Sequence, residues 1–311
     1  MRYASLIELI GNTPLVELPS LSPRPGVRFF AKLEGQNPTG SVKDRIAKYM
    51  IEDAERSGEL TPDRVVLEPT SGNTGISLAM ICRIKGYRLK VVMPESVSEE
   101  RAQLLRAFGA EIVFSDGARG TNGSIAVAQE LAASDPTYLM LYQYGNSNNP
   151  RAHYETTGPE ILRDLPDIDV FVAGLGTGGT LTGTGRYLKD HKPDVKVIAA
   201  VPHPGDLVQG LRSLEEGFIP PVLDESVLDG KIVVDSRSSF AAAKELTQRE
   251  GIFAGISSGA VLRTAQRIAQ RLERGNVVML FADGGWKYLS TSLWTKEYDE
   301  LAEEVEGKVW W

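Results

Sequence analysis

The sequence predicts an α/β protein with two open, mostly parallel twisted sheets that are flanked by helices. Strand-like and helix-like segments alternate along most of the 311 residues, which is the pattern of parallel strands joined by right-handed helical crossovers. The segment 277–281 (Val-Val-Met-Leu-Phe) is apolar throughout, as expected when helices cover both faces of a sheet. A turn-rich stretch at residues 145–150 divides the alternation into two blocks. Each block is therefore expected to form one sheet.

Composition and charge exclude several classes of protein. A hydrophobic share of 42% and a charged share of 24% are typical of globular domains, and the net charge of −7 argues against nucleic acid as a partner. The single cysteine, Cys82, excludes an internal disulfide, and it is expected to be a buried apolar side chain. His153, His191 and His203 lack metal-ligand spacing, so no metal site is predicted. No segment resembles a signal peptide or a membrane span, so a cytoplasmic protein without a membrane partner is expected.

The first block begins with a predicted strand, a turn and a helix. Val27–Leu33 has the composition of a strand, and Ile46–Ala54 has apolar residues at helical spacing. Thr39 or Ser41 is expected to cap the helix. Lys43 would then lie in its first turn.

Lys43 is the residue whose predicted position has chemical consequences. The helix dipole disfavours a cation in the first turn, so the lysine pKa should be lowered and the amine more often neutral. A lysine that forms a Schiff base needs this property. Taken alone, Lys43 is better explained as a solvated loop lysine. The loops described below reverse that preference.

The remaining elements follow from periodicity and breakers. A short helix is predicted over Ser5–Ile10. The other predicted strands are Arg64–Leu67, Leu89–Met93, Glu111–Phe114, Tyr138–Tyr142, Val170–Ala173, Val195–Val201, Ile232–Val234 and Val277–Phe281. The other predicted helices are Asn73–Lys85, Ser98–Phe108, Asn122–Ala133, His153–Leu162, Gly179–Leu188, Phe240–Glu250 and Gly259–Arg271.

Three loops join a strand to a helix, which is where open α/β sheets bind their ligands. Residues 69–75 (PTSGNTG) offer hydroxyl groups and backbone N–H groups that suit a carboxylate. Residues 174–180 (GLGTGGT) form a glycine-rich cradle that suits a phosphate, and residues 254–259 (AGISSG) precede another helix. A tight turn explains any one loop equally well. Three such loops together with Lys43 favour a ligand site.

The glycine-rich loop also permits a nicotinamide-dependent oxidoreductase. Gly174, Gly176 and Gly179 fit the G-x-G-x-x-G fingerprint. The match is weak because no acidic residue ends the next strand, at Ala199–Val201, to hold a ribose. A visible spectrum without a yellow Schiff-base band would favour this alternative.

Four motifs, in this order and spacing, resemble those of the fold-type II pyridoxal-phosphate enzymes. They are PTGSVKDR at 38–45, PTSGNTG at 69–75, GTGGT at 176–180 and GISSGA at 255–260. The sequence is most similar to the cysteine synthase and cystathionine β-synthase family, over nearly the whole chain. The resemblance implies a fold like that of tryptophan synthase β. It also implies a smaller, mobile domain of residues 40–145, a larger domain of residues 1–39 plus 146–311, and pyridoxal 5′-phosphate in the cleft between them.

The resemblance also implies the roles of individual residues. Lys43 would form the Schiff base and would later remove the Cα proton. The implied cofactor ligands are Asn73 at the ring oxygen, Gly176, Thr177, Gly178, Gly179 and Thr180 at the phosphate, and Ser257 at the pyridine nitrogen. The implied ligands of the substrate carboxylate are Thr70, Ser71, Thr74 and Gln143. A serine cannot keep the pyridine nitrogen protonated, and the resulting weak electron sink favours prompt loss of a β-leaving group.

Further segments resemble the actinobacterial M-type cysteine synthases, which prefer O-phosphoserine. They are residues 1–7 (MRYASLI), 211–218 (LRSLEEGF) and 283–288 (DGGWKY). The implied reaction is a β-replacement on an activated L-serine through an aminoacrylate, giving L-cysteine, with sulfur from a thiocarboxylated small sulfur-carrier protein or sulfide. Arg212 would bind the phosphoryl group, and a homodimer is expected. The loop at 203–209 is individual to this chain, which leaves its substrate contacts open.

Other activities of the same fold remain alternatives. They are an O-acetylserine sulfhydrylase, a cystathionine β-synthase core and a serine or threonine dehydratase. The chain lacks an added regulatory domain, and Arg212 has no obvious use in the last two. The acidic segment 297–307 and the terminal Trp310-Trp311 are expected to close over the cleft as a lid, with static packing as the alternative.

Overall fold

The computed structural model describes residues 2–70, 72–97, 99–206, 208–292, 294–296 and 298–299. The predictions for Ser71 and for the Trp310-Trp311 tail fall outside these ranges.

The strands are β1 (Leu15–Glu17), β2 (Val27–Leu33), β3 (Val65–Pro69), β4 (Arg88–Pro94), β5 (Glu111–Ser115), β6 (Tyr138–Met140), β7 (Val170–Gly174), β8 (Lys196–Pro202), β9 (Gly230–Val234) and β10 (Gly275–Phe281). The α-helices are α1 (Lys43–Ser57), α2 (Asn73–Lys85), α3 (Glu99–Ala107), α4 (Gly120–Ser134), α5 (Asn148–Ala152), α6 (Gly158–Asp164), α7 (Gly179–His191), α8 (Ser236–Glu250) and α9 (Ile256–Ala269).

The strands form two sheets. One has four strands in the order β5-β4-β3-β6, and all of its neighbouring strands are parallel. The other has six strands in the order β1-β2-β10-β7-β8-β9, and only β1 runs antiparallel to its neighbour. Helices pack on both sheets. The predicted class, two open and mostly parallel sheets flanked by helices, is confirmed.

Strand β10 lies between β2 and β7 in the middle of the larger sheet. Its alternate side chains belong to two different cores. Val277, Met279 and Phe281 pack with residues of α8 and α9, whereas Val278 and Leu280 pack with residues of α7. Because both faces are covered, each side chain from Val277 to Phe281 gains from burial, about 1.5–3 kcal/mol for a large apolar group. This explains why the segment is apolar throughout.

Two helices of the second block begin earlier than predicted. Helix α8 begins at Ser236, not Phe240, because the Asp235 carboxylate accepts a hydrogen bond from the Ser238 N–H at 2.7 Å and so caps the helix. Helix α9 begins at Ile256, not Gly259. Polar residues fill the first turn of α8, and two serines and a glycine follow Ile256 in the first turn of α9. A prediction based on apolar spacing therefore places both starts too late.

The stretch at residues 145–150 was predicted as a turn, but α5 begins inside it at Asn148. The Asn146 side-chain oxygen accepts the Asn148 N–H at 3.0 Å, and Pro150 lies in the first turn, where its missing N–H costs nothing. The helical path continues through a π-helical segment, His153–Thr157, into α6. The division into domains 40–145 and 1–39 plus 146–311 stays a prediction.

Helix α1 begins at Lys43, so the predicted place of this residue in the first turn is confirmed. Val42, and neither Thr39 nor Ser41, is the N-cap residue and makes no side-chain cap hydrogen bond, but Ser41 does supply the predicted capping contact. Ser41 Oγ accepts from the Lys43 N–H at 3.2 Å. Thr39 instead donates its N–H to the Asp44 carboxylate at 2.7 Å, which fixes the turn that precedes Lys43.

Four charged side chains form a buried cluster that the sequence did not predict. Arg45 lies between Glu34 and Glu160, with N–O distances of 2.7 Å to each. Lys32 also bonds Glu160 at 2.7 Å. All four are buried, so the cluster joins β2, α1 and α6 through charges that have no access to water.

Other expectations concern single residues and absences. Cys82 is buried, as predicted, and burial raises the pKa of its thiol to about 12. Among the described residues, no helix is long and apolar enough to cross a membrane. The same part of the chain contains no group of three or more His, Cys, Asp or Glu side chains that could hold a metal ion.

Candidate functional site

The carboxyl ends of β3, β7 and β10 open onto one cleft, which the loops predicted to bind ligands surround. Most of the predicted site residues meet there. Those that line the cleft are Lys43, Thr70, Asn73, Thr74, Gln143, Gly176, Thr177, Gly178, Thr180, Arg212 and Ser257. Gly179 is buried at the start of α7 instead of lining the cleft. Ser71 lies outside the described residues.

Lys43 projects from the start of α1 into the cleft. Its backbone is held from the preceding residue, because the Val42 N–H donates to the Ala282 carbonyl at 2.8 Å. Burial lowers the pKa of the Lys43 ammonium to about 8, and the Asp283 carboxylate opposes that shift. The pKa is lowered as predicted, and removal of the ammonium from water is the leading cause.

The glycine-rich loop has the geometry of a phosphate cradle. Gly178 has a φ of 84°, a left-handed conformation that favours glycine. A side chain on Gly176 would place its Cβ 2.6 Å from the Gly210 carbonyl oxygen, so only glycine fits there. Thr177 Oγ accepts a hydrogen bond from the Asn149 amide at 3.0 Å. Helix α7 starts at the end of this loop, and its N-terminal N–H groups and dipole favour an anion.

His153 supports this loop from behind. Its ring nitrogens bond Thr180 Oγ at 3.1 Å and Thr157 Oγ at 2.9 Å. Burial, with help from Arg45 and Lys43, holds the imidazole pKa well below its ordinary value, so the ring is neutral. His153 is a buried packing residue, and its contact with Thr180 adds a positioning role that the sequence did not indicate.

The loop after β3 and the segment after β6 meet on one side of the cleft, because β3 and β6 are neighbouring strands of the same sheet. Thr74 Oγ donates to Gln143 Oε1 at 2.7 Å. The backbone N–H groups of Tyr142 and Gln143 donate to the Glu68 carboxylate at 2.8 and 3.0 Å, and burial raises the pKa of Glu68 to about 8. The hydroxyl and amide groups of this part of the cleft suit a carboxylate ligand.

A network at the end of β10 was missed as part of the site. The Asn73 amide nitrogen donates to Asp283 Oδ2 at 2.7 Å, and the Lys287 ammonium donates to Asn73 Oδ1 at 2.7 Å. The Tyr288 hydroxyl also donates to Asp283 Oδ2. In the sequence, the segment 283–288 is recognisable only by its family resemblance. Its position directly after a buried parallel strand was the signal that could have placed it in the site.

Arg212 lies on the cleft wall beside two aromatic rings that also contact each other edge to face. Its guanidinium carbon is 4.7 Å from the centre of the Phe218 ring and 5.6 Å from that of Tyr144. One of its nitrogens donates to Asn122 Oδ1 of α4 at 3.2 Å. None of the ion pairs found among the described residues includes Arg212. The guanidinium is therefore positioned by stacking and by one neutral hydrogen bond.

The cleft carries a positive excess in a protein whose net charge is −7. Lys43, Arg101 and Arg212 line it, and Asp283 is the one carboxylate among its described lining residues. Opposite charges attract across a cleft with low-dielectric walls, which raises the local concentration of an anionic ligand. The cleft therefore suits ligands that bring phosphate and carboxylate groups.

Comparison with known proteins agrees with this geometry. The family model described as "Pyridoxal-phosphate dependent enzyme" matches residues 6–283. A probable cysteine synthase of Bacillus subtilis is 44% identical over 304 residues, covering 94% of this chain and 98% of that protein. Cysteine synthase B of Escherichia coli is 41% identical over 296 residues, covering 95% of this chain and 97% of that protein. A crystal structure of cysteine synthase from Entamoeba histolytica superposes with a TM-score of 0.89 at 32% identity, covering 98% of this chain and 96% of that chain.

The residues on the cleft walls are of the kinds that bind pyridoxal phosphate. Pyridoxal phosphate needs an amine, a phosphate cradle and polar groups around its ring. Lys43, the 176–180 loop with the start of α7, and the pair Asn73 and Ser257 supply these groups within one cleft. The close approach of Gly176 to Gly210 leaves room only for glycine at this point of the loop.

Proposed function

The chain belongs to the family of pyridoxal-phosphate dependent enzymes and is a homologue of the cysteine synthases, and from this premise we propose that it prefers O-phospho-L-serine as the activated serine. We also propose that its sulfur comes from a thiocarboxylated sulfur-carrier protein. The product is L-cysteine. O-acetylserine sulfhydrylase activity is the main alternative.

The position of Arg212 is the observation on which the proposed substrate preference rests. An acetyl group is neutral and needs no cation, whereas a phosphoryl group carries nearly two negative charges and suits a guanidinium, which binds it through two parallel hydrogen bonds. Arg212 lines the cleft, stacks on Phe218 and Tyr144, and takes part in none of the described ion pairs. Its charge is thus available to a ligand.

The other cleft residues take the roles that the reaction needs. Bound pyridoxal phosphate supplies the electron sink that loosens the bonds at Cα and Cβ of an amino acid. Lys43, with a pKa of about 8, holds a proton that it can exchange near neutral pH. Thr70, Thr74 and Gln143 bind the substrate carboxylate. The phosphate of the cofactor lies in the loop 176–180, and Ser257 faces its ring nitrogen.

Exposed apolar side chains that lie close in the chain to cleft residues support a protein as the sulfur donor. Trp286 and Leu289 follow the cleft residue Asp283 and are 45% and 63% exposed, and Ile219, close to Arg212 in the chain, is 56% exposed. Apolar side chains at the mouth of a site favour contact with another protein. A carrier with a flexible thiocarboxylate end would dock there and reach the cleft.

Two assays test this proposal. The first compares kcat/KM for O-phosphoserine and O-acetylserine, and we expect a clear preference for the former. The second compares sulfide, thiosulfate, homocysteine and a thiocarboxylated carrier protein as the nucleophile, with the carrier expected to be the best. A higher kcat/KM for O-acetylserine with free sulfide would contradict the proposal and favour an O-acetylserine sulfhydrylase. Cystathionine formed from homocysteine would favour the cystathionine β-synthase alternative.

The assembly and its place in the cell are part of the same proposal. We expect a homodimer in the cytoplasm, and a smaller domain of residues 40–145 that moves on the rest of the chain. Analytical ultracentrifugation tests the first expectation, and a sedimentation coefficient of a monomer would contradict it.

A further inference from the structure

Lys287 is a buried lysine that has no role in the proposed mechanism. It is 5% exposed, and its ammonium donates to Asn73 Oδ1 at 2.7 Å. Burial lowers its pKa to about 8, although Asp283 and Asp44 oppose that shift. Removing an ammonium from water is costly, so a lysine in this position requires a reason beyond packing.

The Asn73 amide is held between charges of opposite sign. Its nitrogen donates to the Asp283 carboxylate at 2.7 Å, and its oxygen accepts from the Lys287 ammonium at 2.7 Å. An asparagine amide can be rotated by 180° with almost no change in shape. Here the rotation would turn the amide oxygen toward a carboxylate and the NH2 group toward an ammonium, which replaces two charge-assisted hydrogen bonds with two repulsive contacts.

We propose that Lys287 is a positioning residue that fixes the orientation of the Asn73 amide, so that its NH2 group faces the cofactor. The inference rests on the proposed role of Asn73 at the ring oxygen of pyridoxal phosphate. Asp283 uses one N–H of the NH2 group, and the other is left for the ring oxygen. A donor in this place stabilises the yellow form of the bound cofactor, in which the ring oxygen carries the negative charge.

The neighbouring contacts show why the chain uses a lysine at this point. Asn73 is the first residue of α2, and its backbone carbonyl accepts a hydrogen bond from Ser77 at 2.9 Å. The helix therefore fixes the backbone, while the two charges are the side chains among the described residues that bond the amide and fix its plane. A neutral partner would hold the amide less firmly because hydrogen bonds to charged groups are about twice as strong as neutral ones.

The test uses Lys287→Met, Lys287→Gln and Lys287→Arg in the full chain. Each protein is stripped of cofactor, titrated with pyridoxal phosphate, and examined for the share of bound cofactor in the yellow form. The dissociation constant should rise about 10- to 100-fold in K287M, less in K287Q, and little in K287R, and the yellow share should fall in the same order. Lys85→Met is the matched control, because Lys85 is a partly buried lysine at the other end of α2 that bonds Glu55.

Asn73→Ala separates this inference from the role on which it rests. K287M should add no further loss to N73A, because both variants remove the same oriented donor. If N73A leaves affinity and spectrum unchanged, the proposed role of Asn73 and the inference both fail. If N73A changes them and K287M does not, only the inference fails. If all three Lys287 variants lose thermal stability while their bound cofactor keeps the normal spectrum, Lys287 supports the fold and the inference is overturned.

Discussion

The pKa of Lys43 is set by burial more than by its place at the start of a helix. A helix dipole contributes about 0.3–1 kcal/mol to a charge in the first turn, which is less than one pKa unit. The lowering from 10.5 to about 8 is larger, and burial is its leading cause. At neutral pH the neutral fraction of the amine is then on the order of a hundredfold larger than that of a surface lysine.

Replacing Lys43 with alanine should abolish turnover and leave the fold intact. The reason is that Lys43 supplies the amine in the cleft, while its side chain makes none of the described ion pairs that hold α1 in place. The measurements are the rate of cysteine formation, the visible spectrum and the melting temperature. A Lys43→Ala protein that keeps the yellow band and near-normal activity would refute the assignment.

Single residues of the site were predictable from sequence to different degrees. Lys43, Thr70 and Thr177 were predicted because each lies in a glycine- or hydroxyl-rich loop next to a predicted strand or helix. Asp283 and Lys287 were not predicted, because their partner, Asn73, is more than 200 residues away in the chain and the hydrogen bonds between them depend on how the two sheets pack. The local sequence around these residues does not show that they lie within hydrogen-bonding distance in the folded chain.

At the scale of elements, buried charges hold β2, α1 and α6 together. Although burial alone would raise the pKa of Glu160, its bonds to Arg45 and Lys32 hold that pKa at about 2. Breaking a buried ion pair leaves an uncompensated charge, which costs about 3–5 kcal/mol. This cluster joins elements that are far apart in sequence. The spacing of apolar residues therefore predicts neither which residues belong to it nor how much stability is lost when one of its ion pairs is broken.

Glu160→Gln should therefore lower the free energy of unfolding by about 3 kcal/mol or more, measured by urea denaturation at pH 7. This loss of stability should become smaller as the pH falls. The folded pKa of about 2 lies below the ordinary value of 4.5, so the charge stabilises the fold above pH 4.5 and that stabilisation disappears as the pH falls through about 2.

The difference between wild type and Glu160→Gln should accordingly shrink between pH 4.5 and pH 2. Glu155→Gln is the control, because Glu155 pairs with Arg151 on the surface with both side chains more than 40% exposed, and it should change stability by less than about 0.5 kcal/mol. Equal losses of the free energy of unfolding in the two variants would show that the buried cluster stabilises the fold no more than a surface ion pair does.

At the scale of the whole molecule, the two sheets meet at one cleft and both supply its walls. Asn73 and Thr74 follow β3 of the four-stranded sheet. Gly176 follows β7 of the six-stranded sheet, and Ser257 lies in α9, which packs on that sheet. The alternation of strands and helices predicted both sheets from the sequence. It did not predict the strand order of the larger sheet, in which β10 inserts between β2 and β7, because that order depends on contacts across the whole chain.

Removing pyridoxal phosphate should lower the melting temperature of the whole protein. A ligand present at 100 to 1,000 times its dissociation constant stabilises the folded state by about 2.7–4.1 kcal/mol, which corresponds to roughly 4–6 °C for a chain of this length. Scanning calorimetry of the apo and reconstituted proteins measures the shift. Coincident transitions would mean that the cofactor does not bind across the cleft.

The preference for O-phosphoserine is tested most directly by Arg212→Ala. The rate of the first half-reaction is measured for O-phosphoserine and O-acetylserine on wild type, Arg212→Ala and Arg212→Lys. Arg186→Ala is the control, because Arg186 is an exposed arginine that pairs with Asp224 at 2.6 Å on the protein surface.

Loss of one charge-assisted bond, worth about 1.5–3 kcal/mol, should lower kcat/KM for O-phosphoserine by roughly 10- to 100-fold in Arg212→Ala. The loss for O-acetylserine should be much smaller, and Arg212→Lys should fall in between because it keeps the charge but not the paired hydrogen bonds. Equal losses for the two substrates would contradict the proposal and would mean that Arg212 supports the cleft wall without recognising a phosphoryl group.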